Sequence, residues 1–283
     1  MNAAELLRLP APAKLNLMLR IVGRRADGYH LLQTVFQFIE LCDWITFRPR
    51  EDGQIRLDTP LPGVPEEADL TVRAAQALRE CAGIEEGCRI AIEKNLPMGG
   101  GLGGGSSDAA TTLVGLNHLW GAGLSVDELA GIGLKLGADV PVFVRGFSAW
   151  AEGVGEDLTP LDLPEPWYVV LVPDCQVATG RIFSAPNLTR HNEAIKIREF
   201  LAGQQENHCL PVVRDLYPEI GSALDDLARF SLAKLTGTGA CVFAGFDYEA
   251  DARAAAANLS RSWSVFVTRG VNVSPLHRTL GLA

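Results

Sequence analysis

Polar and apolar residues alternate cleanly over Lys14–Val22, KLNLMLRIV. Leu15, Leu17, Leu19 and Ile21 fall on one side and Lys14, Asn16, Met18 and Arg20 on the other, the period-two pattern of a half-buried strand. Lys14 and Asn16 therefore share a face. GRRADGYH comes next as a turn with Asp27-Gly28 at its tight corner. Apolar-rich runs at Leu32–Leu41 and Trp44–Arg48 predict two further strands, so the chain opens as antiparallel β. The period then lengthens. Asp69 is placed to cap a helix whose Leu70, Ala74, Ala77, Leu78 and Cys81 form one stripe. Arg89–Lys94 reads as a strand, and Ala109, Ala110, Leu113, Val114 and Leu116 recur at helical spacing. Ser125 and Glu128 make a capping box for a helix that stops at Gly137, after which GADVPVF is extended or briefly helical around Pro141.

A second part begins near Gly153–Glu156 and the proline-rich TPLDLPEP. Trp167–Val172 predicts a buried strand, two or three helical stretches lie between Asn192 and Phe230, and Lys234–Phe243 reads strand, glycine loop, strand. An alanine-rich helix at Tyr248–Leu259 and a strand at Ser264–Thr268 close the pattern. Strands and helices mix without a regular βαβ rhythm, and 283 residues exceed one typical domain of roughly 150. The expectation is α+β in two domains, 1–155 and 156–283.

Composition narrows the partners. A net charge of −9 argues against broad binding to nucleic acid or to anionic membrane. No apolar run is long enough to span a bilayer, and the N-terminus lacks the basic and apolar regions of a signal peptide. The six cysteines are scattered without a C-x-x-C pair and read as buried thiols of a reducing cytoplasm. No histidine spacing suggests a metal centre, so any metal ligands are unknown at this level.

The segment Pro97–Ala110, PMGGGLGGGSSDAA, holds six glycines within Gly99–Gly105. A Gly/Ser tether is one reading of such composition. Three features oppose it: the run joins a strand to a helix, Leu102 interrupts it, and it ends in Ser106, Ser107 and Asp108, types that cap helix starts. Glycines leading into a helix N-terminus expose main-chain N–H groups and admit close approach, which makes an anion cradle suited to phosphate. A P-loop is excluded because no lysine comes after the second glycine of such a motif. Gly99, Gly101 and Gly104 match G-x-G-x-x-G, which leaves a dinucleotide-binding oxidoreductase as the minor alternative; the acidic strand end expected about twenty residues on is absent.

APAKLNL (Ala11–Leu17), RADGYH (Arg25–His30), the glycine segment, GADVPVF (Gly137–Phe143) and LTGTGACVFA (Leu235–Ala244) together resemble the GHMP small-molecule kinases, in the order found in that family. The resemblance runs from Ala11 to SPLHR at Ser274–Arg278. It implies a GHMP-kinase-like fold, with an N-terminal domain like domain 2 of ribosomal protein S5 and a ferredoxin-like C-terminal domain. It also implies transfer of the γ-phosphoryl group of ATP to an alcohol, with Mg²⁺ accompanying the nucleotide. The triple-glycine loop joined to DGYH and GADVP is similar to members whose small-molecule substrate carries a cytidine diphosphate handle. Another small-alcohol kinase of the family is the alternative.

Residue by residue, the resemblance makes Asp139 the group that accepts or orients the hydroxyl proton and Lys14 its charge-neutralising partner. Pro97, Met98, Gly99, Gly100, Gly101, Leu102, Gly103, Gly104, Gly105, Ser106 and Ser107 become the loop around the ATP phosphates. Tyr29 and His30 would bind cytosine with Phe183 opposite, Asn16 and Thr179 would orient substrate, and Gly237, Thr238 and Gly239 would lie near the transferred phosphate. The expectation is a cytoplasmic protein, monomer or homodimer.

Overall fold

Pairing of the first two strands sets the architecture. In this computed structural model, which describes residues 6–282 apart from 27, 59, 61 and 62, β1 (Leu7–Arg24) runs antiparallel to β2 (His30–Arg50) along nearly its whole length. Asp27 of the expected corner lies outside the described residues. The runs read as two strands at Leu32–Leu41 and Trp44–Arg48 are one continuous strand. Register shifts between Pro12 and Lys14, Asn16 and Met18, and Ile21 and Gly23 break the alternation of β1. At the second and third the extra residue, Leu17 and Val22, is on β1. At the first, three residues of β2 from Ile39 to Leu41 stand opposite Ala13, so the surplus is on the partner, and each such irregularity turns the local pleat. The middle of β1 is consequently not half-buried: Lys14, Leu15, Asn16, Met18, Leu19 and Ile21 are all buried, on both faces.

β3 (Ile55–Leu57) lies parallel to β4 (Gly87–Glu93), which pairs antiparallel with β2. Between them α1 (Leu70–Ala82) starts at Asp69, whose carboxylate accepts from the Thr71 amide at 2.8 Å. Its buried face is Thr71, Val72, Ala74, Ala75 and Leu78, rotated from the expected stripe so that Cys81 is exposed. α2 (Gly104–Leu119) packs its Ala109, Ala110 and Leu113 against Leu9, Ala11 and Phe47 of the sheet. Its cap differs from expectation. Gly103, at φ +77°, is the N-cap with no side-chain bond, while Ser106, Ser107 and Asp108 sit inside the helix. α3 (Val126–Leu136) has the predicted capping box, and α4 (Val140–Arg145) settles the GADVPVF segment as a short helix.

β5 (Ala149–Glu152) and β6 (Asp157–Pro160) form a hairpin on the edge of β2. The boundary proposed at 155/156 falls within it. Beyond come β7 (Trp167–Val172), α5 (Thr179–Ser184), α6 (Ile197–Leu201), α7 (Leu210–Leu216), α8 (Pro218–Ala228), β8 (Lys234–Leu235), β9 (Val242–Phe246), α9 (Glu249–Leu259), β10 (Ser264–Val271) and α10 (Pro275–Leu280). The short helices α5 and α10 have no periodic signature in the sequence. β10 joins the halves, pairing with β7 over six residues and with β2 at Gly270–Ile39 and Val271–Phe38. The sheet order is β3-β4-β2-β10-β7-β9-β8, which with the flanking helices gives the expected α+β class.

Among the described residues no helix is long and apolar enough to cross a membrane. The six cysteines are free, but only Cys88, Cys209 and Cys241 are buried. Burial pushes each of these three thiols up to about 12.

The glycine run is docked, not loose. Leu102 is 1 % exposed and packs with Leu15, Leu96, Cys241 and Phe243. A tether would lose nothing on truncation there. Leu102→Ala is expected to cost about 2–5 kcal/mol, the range for a buried leucine, read from the midpoint of urea unfolding; an unchanged midpoint would restore the tether.

Candidate active site

The buried ammonium of Lys14 organises the site. Its side chain is 4 % exposed, and Nζ lies 3.3 Å from Asp139 Oδ2. It donates to Asn16 Oδ1 at 2.6 Å and to the Gly101 carbonyl at 3.0 Å. Asn16 in turn donates through Nδ2 to Thr34 Oγ1 at 2.9 Å, and its main-chain N–H donates to Thr236 Oγ1 at 3.0 Å. Thr236 donates onward to the Gly101 carbonyl. Lys14 and Asn16 do meet, as expected of a common face. Asp139 reaches them because Gly137 and the N-terminal turn of α4 bring residue 139 across the sheet; its side chain caps nothing and is 35 % exposed.

The glycine loop is held from behind. Ala240 and Cys241 donate main-chain N–H bonds to Gly99 and Gly100, and Lys14 donates one to Leu102. At Gly101, φ is +76°, and a Cβ would stand 2.5 Å from the Thr236 carbonyl and 2.9 Å from that of Gly239. At Gly103, φ is +77°, and a Cβ would stand 2.7 Å from the Phe143 ring and 3.1 Å from Lys14 Cε. Both positions need glycine for conformation and for room. Pro97 packs behind Gly100, and Met98 and Gly99 are exposed. The Leu102 side chain points into the core, so only its main chain can meet a ligand. Gly104, Gly105 and Ser106 supply first-turn amides without an i−4 partner in the helix. Ser107 Oγ is buried with no hydrogen-bond partner among the described residues.

A cleft of about 720 Å³ extends from this pair. Gly101 and Gly103 floor it; Thr179 and Thr238, whose hydroxyls are 3.0 Å apart, line it further out with Gly237. Gly239 turns inward under Gly101 and does not line the cleft. At the far end are Tyr29, His30 and Phe183. Tyr29 is 62 % exposed. His30 and Phe183 stack on each other, centroids 4.9 Å apart and planes at 26°. A base between two rings needs them about 7–8 Å apart, twice an ordinary carbon contact, so the clamp here is shut. Burial, then Arg190 and Arg24, hold the His30 ring below the ordinary histidine value. Its Nε2 is buried and without a partner among the described residues.

A second charged cluster has no motif in the sequence to announce it. Lys94 pairs with Asp43 and, at 2.7 Å, with Asp108. Asp43 also accepts from the Asn95 and Leu96 amides at 2.6 and 2.7 Å. This brings Lys94 beside Gly104, on the side of the loop away from Lys14. A lysine ending the strand before the loop is the one signal available. Burial disfavours the charge on Lys94, but Asp108 and Asp43 outweigh it and raise its pKa. Burial also raises the Asp108 carboxyl; Lys94 opposes this and Asp43 and Asp69 add to it. Among the described residues no three potential ligand side chains converge on a metal position.

Comparison with known proteins fits this geometry. Residues 69–147 match the model for the GHMP kinases N terminal domain and residues 188–265 that for GHMP kinases C terminal. The chain is 60 % identical over 275 residues to a protein of Methylococcus capsulatus named 4-diphosphocytidyl-2-C-methyl-D-erythritol kinase, covering 97 % of this chain and 94 % of that one. The protein so named from Nitrosococcus oceani is 58 % identical, covering 94 % and 95 %.

This chain belongs to the GHMP kinases.

A crystal structure of 4-(cytidine 5'-diphospho)-2C-methyl-D-erythritol kinase superposes with a TM-score of 0.81 at 33 % identity, covering 93 % of this chain and 99 % of that one. A mevalonate kinase structure shares the fold at TM-score 0.71 and 17 % identity. The dinucleotide alternative falls for a GHMP kinase, and the topology agrees: α2 leads into α3, not into the parallel strand a βαβ unit requires.

A carboxyl whose folded pKa exceeds its unfolded one weakens the fold as pH climbs from the unfolded value to the folded one. Asp108→Asn lacks that ionisation. Its stability relative to the natural protein is therefore expected to improve from about pH 4 towards neutrality in urea unfolding; a difference independent of pH would refute the raised carboxyl.

Proposed function

We infer that this GHMP kinase transfers the γ-phosphoryl group of ATP to the 2-hydroxyl of 4-diphosphocytidyl-2-C-methyl-D-erythritol, a step towards isoprenoid precursors outside the mevalonate route. The observation that carries the reading is the Lys14–Asp139 pair, 3.3 Å apart, at the base of a cleft that has the α2 N-terminus at one end and an aromatic pair at the other. It is supported by 60 % identity to a curated protein of that name along nearly the whole chain.

The substrate hydroxyl attacks the γ-phosphorus, its proton passes to the Asp139 carboxylate, and the bond to the bridging oxygen of ADP breaks. Lys14 offsets the negative charge shared between acceptor oxygen and transferring group. The amides of Gly103–Ser106 and the positive end of the 16-residue α2 hold the phosphates. ATP would bring Mg²⁺, an ion that keeps phosphate oxygens and water as most of its ligands; the Asp139 carboxylate, which lines the cleft, is an oxygen this chain would offer it, whereas the Ser107 hydroxyl is fully buried. Asn16 orients Lys14, while Thr179, Gly237 and Thr238 flank the acceptor alcohol. Tyr29, His30 and Phe183 take the cytosine, with His30 and Phe183 parting to admit it. We place the reaction in the cytoplasm.

Incubation with Mg-ATP and the diphosphocytidyl alcohol should release ADP and a monophosphorylated product, whereas homoserine, mevalonate and galactose should be poor acceptors. Turnover of one of those three in preference would replace the substrate while keeping the chemistry. Asp139→Ala is expected to lower kcat about 10²–10⁴-fold, the scale of a lost proton-transfer group, with ATP affinity retained; near-normal turnover would remove Asp139 from the mechanism. Phe183→Ala should raise KM for the cytidine substrate roughly ten- to a hundredfold, the cost of one lost base stack, and leave KM for ATP unchanged.

A further inference from the structure

Two adjoining cavities of about 540 and 350 Å³ lie apart from the reaction cleft and share no lining residue with it. Leu17, Gln205, Leu232 and Lys234 line both and so form their junction. Lys234 is partly buried there, and its ammonium donates to the amide oxygen of Gln205, a neutral acceptor. Among the described residues the only carboxylate lining either cavity is that of Glu206, which is engaged by Arg20 at 2.9 Å. Burial accordingly holds Lys234 below the ordinary lysine value, with no neighbouring charge opposing it.

The other lysines buried in this protein are treated differently. Lys14 faces Asp139, and Lys94 sits between Asp43 and Asp108. A partly buried ammonium without a counter-ion is costly unless something supplies one. His208 adds a polar group to the larger cavity: Nδ1 accepts from the Ile21 amide at 3.2 Å, so the neutral ring carries its hydrogen on Nε2. The smaller cavity is mainly apolar, walled by Leu163, Pro164, Phe200, Leu201 and Phe243. Leu201 and Leu232 are 61 % and 75 % exposed at its rim.

We propose that this junction is a second binding site, for a small amphiphilic anion: its carboxylate or phosphate head pairs with Lys234, and a short hydrocarbon tail crosses Leu17 and Leu232 into the cavity walled by Phe200 and Leu201. The proposal is independent of the kinase substrate. It rests on charge complementarity at one point of a protein whose overall charge is −9.

Isothermal titration of the full chain with octanoate, n-octanol and inorganic phosphate tests it. Octanoate is expected to bind one to one, with the alcohol and the phosphate each at least about tenfold weaker, the scale of a lost charged hydrogen bond or a lost tail. Lys234→Met should weaken octanoate by at least about tenfold while leaving octanol unchanged. Leu232→Asp, at an exposed position, should weaken octanoate as well. Equal octanoate affinity in the natural protein and Lys234→Met would overturn the proposal, as would loss of binding when cytidine diphosphate fills the reaction cleft. So would a chain that dimerises through Leu232 and releases no octanoate-binding heat, since the patch would then be a contact between copies.

Discussion

Burying the Lys14 ammonium constrains everything around it. A cation 4 % exposed must have its three N–H bonds met, because desolvation otherwise costs several kcal/mol. The partners come from three separate segments: Asn16 on β1, the Gly101 carbonyl in the glycine loop, and Asp139 at the head of α4. Satisfying one side chain thus fixes a strand, a loop and a helix relative to each other. Thr236 extends the arrangement to the C-terminal half by accepting from the Asn16 amide and donating to the same Gly101 carbonyl. The glycine run cannot swing as a tether while its own carbonyl caps a buried charge.

The same constraint explains how an acidic protein prepares a site for anions. A net charge of −9 gives no general attraction for phosphate, so attraction has to be local and oriented. The main chain supplies it. Left-handed glycines at 99, 101 and 103 turn the backbone so that α2 begins at once after the loop, with its unpaired amides facing outward. Lys14 stands on one side of that helix start and Lys94 on the other, each neutralised in advance by carboxylates. What is left at the helix start is a set of oriented main-chain donors.

How much of this is legible in the sequence depends on the range of the interactions involved. The capping box at Ser125 and Glu128 and the Asp69 cap are decided within four residues, and both are present in the structure. Lys14, Asp139 and the loop are visible because motif and chemistry coincide. The register shifts of the β1–β2 pair are not, two with the extra residue on β1 and one with the surplus on β2, since a bulge is set by both strands together; with them the middle of β1 is buried on both faces. The helix starts at Gly103 and not at the serines because a left-handed glycine ends the loop without a side-chain cap. The short helices α5 and α10 are held from outside: Arg190 donates to the carbonyls of Phe183, Ala185 and Leu188, and His277 bonds the Val144 carbonyl. Asp43, Lys94 and Asp108 are far apart in the chain, and no spacing rule joins them.

The two ends of the cleft treat a titratable side chain differently. At the Lys14 end a charge is buried and every partner is satisfied. At the His30 end a titratable ring is kept neutral: burial, then the Arg190 and Arg24 guanidiniums, hold the imidazole below its ordinary value, and its Nε2 has no partner among the described residues. A neutral imidazole offers one donor and one acceptor, which suits the edge of a nucleobase better than a phosphate. Stacked on Phe183, it also hides apolar ring surface until a ligand replaces that contact. The aromatic end offers rings for a base to stack on, and the loop end offers main-chain amides for phosphate. A two-ended ligand would be oriented by that difference between stacking surface and main-chain donors.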